Sequence, residues 1–276
     1  MNTQNETTYA PRFTSSDLAS SITERIEELA QATDAARMSE EMLRYLEVYS
    51  KFHQYSIFNV FCIMMANPLA TEVAGFHRWK SMGRYVRKGE KGIPILAPIL
   101  VNDDPNDADS EKVLRGFKIV YVYDVSQTDG EPLPEPPNWK SPQKNKELEE
   151  KLIQFAYKRG IQVSVVKQHG EVQGVSKGGV IEVDPLAGTK TLIHEVAHEL
   201  MHHDENRLSE SSLRELEAES VAFVVCKHFG LNITSSPNYL TLHGIDSEKI
   251  MEHLERIRKT AIEIINEIEE SKRNIV

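Results

Sequence analysis

Two histidines and a glutamate in the segment His194-Glu195-Val196-Ala197-His198 have the spacing of a catalytic zinc site. Residues four positions apart lie on one face of a helix, so the imidazoles of His194 and His198 can bind the same Zn²⁺ ion. Glu195 lies beside them and is the candidate general base for a water molecule. The apolar residues around the motif predict that this helix is buried in a domain.

A zinc ion held in this way needs a third protein ligand. The metzincin pattern would require a histidine at position 204 and a glycine at position 201, where this chain has Asp204 and Met201. His202 and His203 follow the motif, and we expect them to cap the C-terminus of the helix, where carbonyl groups lack partners. The remaining candidates are carboxylates on a following helix, in a site of two histidines and one glutamate.

Three glutamates lie close together on the next predicted helix: Glu215, Glu217 and Glu219. Glu215 and Glu219 share one face, whereas Glu217 points away and is expected to be solvated. We predict that Glu215 is the third zinc ligand and that Glu219 binds the second nitrogen of a ligand histidine. The exchange of these two roles, with Glu219 as the ligand, stays open.

These parts predict a zinc-dependent metalloendopeptidase. Zinc would acidify a water molecule and polarise a carbonyl group, while Glu195 would take the proton and pass it to the leaving amine. Tyr239 and His243 are weaker candidates for stabilising the oxyanion, because a single Tyr or His in a loop more often packs or lies at the surface. The strand predicted at Val180–Val183 could offer its edge to an extended peptide.

The composition is that of an ordinary globular protein, with 276 residues, 40% hydrophobic and 27% charged. No apolar run is long enough to span a bilayer, and the first residues lack the pattern of a signal peptide. We therefore expect a cytoplasmic protein without a membrane partner. Cys62 and Cys226 each lie alone in an apolar segment, which predicts reduced core thiols.

The net charge of −10 argues against nucleic-acid binding only if the charge is spread evenly. Between Arg78 and Lys91, however, six basic residues accompany a single acidic one, Glu90. Aromatic residues interleave with these cations, as in proteins that stack bases and bind the backbone of single-stranded DNA. The candidate DNA-binding residues are Phe76, Arg78, Trp79, Lys80, Arg84, Tyr85, Arg87, Lys88 and Lys91.

This segment has two alternatives to DNA binding. Phe76 and Trp79 could belong to the core, and the Lys and Arg side chains could simply be solvated. Tyr55 and Asn59 are either further polar contributors or a buried, satisfied pair.

Apolar periodicity and turn residues predict the elements that position both candidate sites. Helices are expected over 15–30, 38–52, 56–65, 145–159, 211–229 and 246–270, in addition to the helix of the zinc motif, and strands over 93–101, 114–125, 161–166, 172–175 and 180–183. We expect the apolar seam of the last helix to pack within the chain, with a dimeric coiled coil as the alternative.

The predicted fold class is α+β, in two domains. After a disordered N-terminus over 1–14, a helical and β domain over 15–126 would bind single-stranded DNA. A Pro-rich linker over 127–144 would join it to a gluzincin-like zinc metallopeptidase domain over 145–276.

Two resemblances extend these expectations. The zinc motif, together with Glu215, Ala218, Glu219 and Ala222, resembles the ImmA/IrrE family of zinc metallopeptidases, from whose second motif this chain departs at Glu219 and Val221. That resemblance implies Glu215 as the zinc ligand.

The second resemblance is to the N-terminal domain of ArdC-type antirestriction proteins, over about residues 15–125. The residues that carry it are Tyr55-Ser56-Ile57-Phe58-Asn59, Ala66-Asn67-Pro68, Val73-Ala74-Gly75-Phe76 with Trp79, and Gly83-Arg84 with Val86-Arg87-Lys88-Gly89-Glu90-Lys91-Gly92-Ile93. It implies single-stranded DNA binding, a metallopeptidase-like C-terminal domain and protection of incoming mobile DNA from host restriction.

The expected partners are therefore single-stranded DNA and a protein substrate on or near DNA. Two alternatives stay open: a non-proteolytic antirestriction protein with a structural zinc, and an ImmA-like protease that cleaves a repressor of a mobile element.

Overall fold

The computed structural model describes residues 14–30, 35–103, 110–133, 145–167, 173–203, 210–233, 237 and 245–273. These residues form a mixed α+β fold. The helices are α1 (Ser15–Ala30), α2 (Ala35–Lys51), α3 (Ile57–Ala66), α4 (Phe76–Ser81), α5 (Lys146–Lys158), α6 (Thr189–His202), α7 (Ser211–His228) and α8 (Ser247–Arg273). The strands are β1 (Val73–Gly75), β2 (Arg84–Val86), β3 (Ile93–Asn102), β4 (Lys112–Asp124), β5 (Thr128–Gly130), β6 (Gln162–Val165), β7 (Gly174–Ser176) and β8 (Val180–Val183).

An antiparallel sheet of order β1-β4-β3 forms the centre of the N-terminal half. Its β3–β4 hairpin matches the two long strands predicted from sequence. Helix α3 lies along the edge of β3, where the Asn59 amide donates to the carbonyl oxygen of Leu96 at 2.9 Å and accepts from its N–H at 2.8 Å. Asn59 therefore has a structural role, and the interpretation of this residue as buried and satisfied is confirmed.

A second, two-stranded sheet pairs β2 with β5. The residues of β5 lie at the start of the segment that we expected to be a linker, so at least these three residues belong to the folded part of the chain. Asp124 positions β5 by accepting hydrogen bonds from the N–H groups of Thr71, Glu72 and Ser126. Residues 134–144, the remainder of the expected linker, lie outside the described residues.

The third sheet has the order β6-β8-β7, with β8 parallel to β6 and antiparallel to β7. Helix α6 packs against this sheet, α7 packs against α6, and α8 packs against α7. Helices α7 and α8 match predicted helices within a few residues, and α6 is the predicted helix of the zinc motif.

Both halves of the chain contribute to one hydrophobic core, since α2 packs against α7 and α1 contacts α8. The Tyr49 hydroxyl also donates to the carbonyl oxygen of Arg258, at 3.1 Å. The predicted seam of α8 is buried within the chain, as expected, through Ile250, Leu254, Ile257, Ala261, Ile264 and Ile268. The division into two domains stays a prediction.

Cys62 and Cys226 are free and buried, as predicted. Burial raises the pKa of the Cys62 thiol to about 11 and that of Cys226 to about 12, so neither is a thiolate at neutral pH. Across the described residues, no helix is both long and apolar enough to cross a membrane.

Candidate metal centre

Helix α6 carries the zinc motif between the third sheet and α7. Leu192, Ile193, Val196 and Ala197 are buried and fix the helix in the core. The opposite side of the helix, with His194 and His198, faces a cavity of about 370 Å³.

The two histidines and Glu215 converge on one point. Nε2 of His194 lies 3.0 Å from Nε2 of His198, and each nitrogen lies 3.4 Å from a carboxylate oxygen of Glu215. In a tetrahedral zinc site with bonds of about 2.0 to 2.1 Å, neighbouring ligand atoms are about 3.3 to 3.4 Å apart. The donor atoms therefore fit a zinc ion with only small side-chain adjustments.

Glu219 lies behind His194 and does not reach the point of convergence. Its Oε2 atom lies 3.3 Å from Nδ1 of His194, within ion-pair distance, although this nitrogen has no hydrogen-bond partner. Lys190 forms an ion pair with the same carboxylate. Glu215 thus lies at the candidate metal position and Glu219 beside the second nitrogen of His194, and their roles stay a prediction.

His198 is oriented by a chain of hydrogen bonds that ends at Glu217. Nε2 of His202 lies 2.9 Å from Oε2 of Glu217, and Nδ1 of His202 lies 3.0 Å from Nδ1 of His198. Burial lowers the pKa of His202, against the opposing effect of Glu217, so its ring is neutral. His202 then donates to Glu217 and accepts from His198, which leaves the Nε2 lone pair of His198 directed at the metal position.

Two predictions about these residues are wrong. Glu217 is 0% exposed, because His253 and Arg256 of α8 also bind its carboxylate, at 2.7 and 3.1 Å. Despite burial, the hydrogen bonds and the positive charge of these neighbours lower the pKa of Glu217 to about 2. His202 does not cap α6, since its ring takes part in the same buried network. Only the spacing of four residues from His198 could have indicated this role.

The acidic surroundings also shift the pKa values of the candidate ligands. Burial alone would lower the pKa of His194, but Glu215 and Glu219 outweigh burial and raise it to about 9. The same contacts with His194 and His198 hold the pKa of Glu215 well below its ordinary value. Without a metal ion, His194 is therefore protonated at neutral pH, and a divalent cation that binds there displaces this proton.

Glu195 is buried at the wall of the cavity, next to β7. A Cβ atom on Gly174 would lie 2.8 Å from both Cγ and Oε1 of Glu195, so a side chain at that position would displace Glu195. Burial raises the pKa of Glu195 above its ordinary value, although His194 and His198 oppose the shift. Such a carboxylate is a stronger base than a solvated one.

Strand β7 borders the cavity and occupies an edge of its sheet. The sequence pointed to β8 as the available edge, but β8 lies between β6 and β7. The carboxylate of Glu199 holds the β7–β8 turn against α6 by accepting from the N–H groups of Lys177, Gly178 and Gly179, at 3.0, 2.9 and 2.7 Å.

His203 occupies the C-cap position of α6, as predicted, but its ring points to β7. Its Nε2 lies 2.6 Å from the Ser176 hydroxyl of β7. Arg214 also lines the cavity, and sequence reasoning gave it no role. Tyr239, His243 and Asp204 lie outside the described residues.

The basic and aromatic segment is only partly available to a ligand. Trp79 is 1% exposed and donates its indole N–H to the carbonyl oxygen of Tyr123 at 2.8 Å, so it cannot stack on a base. The prediction of Trp79 as a DNA-binding residue is therefore wrong, and its core alternative is right. Phe76 and Tyr85, in contrast, are 49% and 58% exposed.

The cations of this segment divide in the same way. Arg84 donates from Nε to the Thr128 hydroxyl at 2.8 Å and from Nη2 to the Thr128 carbonyl at 3.0 Å, which joins β2 to β5. Arg87 pairs with Glu90 at 2.8 Å and with Asp129 at 3.4 Å. Arg78, Lys80, Lys88 and Lys91 are exposed and form no ion pair with a described residue.

Comparisons with known proteins agree with the second resemblance. Residues 14–163, more than half of the 276-residue chain, match the family described as the N-terminal domain of anti-restriction factor ArdC. An uncharacterized protein of Bacillus anthracis is 26% identical over 294 residues, which cover 87% of this chain and 50% of that protein. The chain thus spans about half the length of this curated relative.

Among solved structures, the metal-free crystal structure of the antirestriction protein ArdC from plasmid R388 superposes with a TM-score of 0.52 at 20% identity, over 92% of this chain and 98% of that chain. The Mn(II)-bound structure of the same protein superposes with a TM-score of 0.47 at 18% identity, over 81% of this chain and 97% of that chain. The first superposition shows a shared fold, and the family match covers the N-terminal half. The chain therefore belongs to the family defined by the N-terminal domain of anti-restriction factor ArdC.

Proposed function

We propose that this chain is a zinc-dependent metalloendopeptidase of a mobile genetic element that binds single-stranded DNA and acts in antirestriction. The observation that carries the enzymatic part is the convergence of His194, His198 and Glu215 beside the buried Glu195. Two imidazoles and one carboxylate are a donor set that suits zinc.

Three protein ligands and an adjoining cavity favour a catalytic zinc over a structural one. Structural zinc sites are closed by four protein ligands, whereas catalytic sites have three and leave one position open. Among the described residues, the group at this point consists of His194, His198 and Glu215. The cavity beside them is wide enough for part of a substrate.

The residues of the chain have separate tasks in amide hydrolysis. When bound, zinc would supply the Lewis acidity that polarises the scissile carbonyl and activates water. Glu195 takes the proton of the attacking water and transfers it to the leaving amine. His198 is held in the binding tautomer by the chain from His202 to Glu217, and Glu219 lies beside the second nitrogen of His194.

Strand β7 is suited to bind an extended peptide substrate. Among the described strands it pairs only with β8, so its other edge can take main-chain hydrogen bonds, although the Ser176 N–H is bonded to Glu195. Glu199 fixes this strand to α6 and thereby sets the distance between a bound peptide and Glu195. Arg214, at the cavity wall, is the candidate group for binding the substrate carbonyl or a charged side chain.

The DNA-binding part of the proposal rests on the exposed residues of the basic segment. Phe76 and Tyr85 offer aromatic faces, and Arg78, Lys80, Lys88 and Lys91 offer positive charge for phosphates. The antirestriction role rests on membership of the ArdC family and on the shared fold with the plasmid R388 protein.

The peptidase proposal is tested with Glu195→Gln, since the amide keeps the size of the side chain but cannot take a proton. Casein and a protein bound to single-stranded DNA serve as substrates, each with and without an added oligonucleotide. We expect about 10²- to 10⁴-fold slower hydrolysis and unchanged zinc content. Glu252→Gln, which alters an exposed carboxylate of α8, is the matched control.

A wild-type protein that holds zinc but cleaves neither substrate would contradict the peptidase proposal and favour a structural zinc. A wild-type protein that binds no zinc would contradict both the peptidase proposal and the alternative of a structural zinc. DNA binding is tested separately, by the mobility of single-stranded oligonucleotides at low salt, where phosphate contacts are strongest. Unchanged mobility there would exclude the DNA-binding proposal and leave the peptidase proposal intact.

A further inference from the structure

A second cluster of metal-binding side chains lies where α2, α7 and α8 meet. His53 follows α2, His228 is the last residue of α7, and Glu269 lies near the end of α8. One ligand atom from each lies within 4.8 Å of the others. Within the described ranges, this is one of two such groups, and the other is the site on α6.

His53 is a buried histidine without a hydrogen-bond partner. The residue is only 6% exposed, and neither ring nitrogen has a hydrogen-bond partner. Leaving a buried polar group unsatisfied is costly, so such a group calls for a ligand. The ring lies 4.5 Å from that of His228, centroid to centroid, and nearly perpendicular to it.

His228 is held in an orientation that leaves its second nitrogen directed at a carboxylate. Nδ1 lies 3.1 Å from the carbonyl oxygen of Ser50, which can only accept, so Nδ1 carries the proton and donates. In a neutral ring Nε2 then has a lone pair, yet it lies 2.9 Å from Oε1 of Glu269. Two acceptor atoms at this distance need a proton or a metal ion between them.

We propose that His53, His228 and Glu269 form a second zinc site, separate from the centre on α6. Two imidazoles and a carboxylate favour zinc among the abundant divalent ions. The hydrogen bond from His228 to Ser50 is the usual second contact of a metal-binding histidine. An ion there satisfies a free nitrogen of His53 and the facing lone pairs of His228 and Glu269 together.

The site joins the two halves of the chain. His53 belongs to the half that matches the ArdC N-terminal family, whereas His228 and Glu269 belong to the helices that follow the zinc motif. Bound zinc therefore stabilises the packing of α2 against α7 and α8, because a structural metal contributes its binding free energy to the folded state. The side chains of His228 and Glu269 are 17% and 33% exposed, so an ion can enter from solvent.

The test measures zinc content, with no reference to hydrolysis. In the double variant His194→Ala, His198→Ala the centre on α6 is removed. After equilibration with zinc and gel filtration, we expect about one equivalent of zinc in this variant and none after the further change Glu269→Gln. His77→Gln, an exposed histidine of α4, is the matched control and should keep the equivalent.

Cobalt(II) gives an independent measurement on the same variants. The double variant should show the visible absorption of tetrahedral cobalt, and the Glu269→Gln derivative should lose it with an unchanged far-UV circular dichroism spectrum. If the double variant does not fold, Glu269→Gln alone should reduce the zinc content from two equivalents to one. Absence of zinc from a folded double variant, or its retention after both Glu269→Gln and His228→Gln, overturns the proposal.

Discussion

The zinc-motif helices and the basic segment over 76–91 differ in how far their sequences determine their geometry. At α6 and α7, a spacing of four residues between metal-binding side chains leads to one convergent group, and further acidic residues hold it. In the basic segment, residues of suitable chemistry have different positions: Trp79 lies in the core, Arg87 forms internal ion pairs, and Tyr85 lies at the surface. Helical periodicity thus fixes which side chains meet, whereas composition fixes only which are present.

The largest expected effect separates Trp79 from Tyr85, two aromatic residues of the same segment. Trp79→Ala should lower the free energy of unfolding by about 3 to 5 kcal/mol, because it removes a buried ring and its hydrogen bond to Tyr123. Tyr85→Ala should change it by less than about 0.5 kcal/mol but weaken binding of single-stranded DNA by about 1 to 3 kcal/mol.

Denaturant unfolding and fluorescence anisotropy measure the two quantities. If the Trp79→Ala variant is as stable as the wild type and the Tyr85→Ala variant is destabilised, then Tyr85 belongs to the core and Trp79 to the surface, the reverse of this assignment.

The second prediction concerns Glu217, the buried end of the chain that orients His198. Its pKa is about 2 in the folded protein, below the ordinary value of 4.5, so it binds its proton less readily when folded. The stabilisation is complete above about pH 4.5 and is lost as the pH falls through about 2. A shift of this size corresponds to about 3 kcal/mol.

Glu217→Gln should therefore lower stability by about this amount at neutral pH, and its unfolding curve should approach that of the wild type near pH 2. Urea unfolding over this pH range checks the difference, with Glu252→Gln as the control. A constant difference at every pH would mean that the charge of Glu217 does not contribute.

Most of the fold and the main features of the zinc-motif site could be predicted from the sequence, for a physical reason. The helices have local signals, as in the apolar seam of α8 from Ile250 to Ile268, and i,i+4 geometry brought His194 to His198. The pairing of β2 with β5 lacked such a signal, since three-residue strands form only when distant residues meet. The burial of Glu217 depends on His253 and Arg256, about 40 residues away, and no local pattern contains them.

The third prediction tests whether the orienting chain matters to the metal. His202→Gln breaks the connection between His198 and Glu217, because an amide cannot reproduce both ring contacts. We expect about 10- to 100-fold weaker zinc binding at the centre on α6. Competition with a chelator measures the affinity, and His77→Gln is the control. An unchanged affinity would show that α6 alone orients His198, without help from α7 and α8.

The smallest expected effect compares two adjacent cations. Lys88 is exposed without an ion pair to a described residue, whereas Arg87 pairs with Glu90 and Asp129. A cation that is already paired within the protein contributes less binding free energy with a phosphate, because the new contact replaces an ion pair that it must give up. Lys88→Gln should reduce the salt dependence of binding to single-stranded DNA, the slope of log K against log salt concentration, by about 0.7. Arg87→Gln removes the same charge but should change the slope less and lower stability instead. Equal slopes for the two variants would mean that the internal ion pairs of Arg87 open on binding, and that exposure alone does not decide which residues of this segment contact DNA.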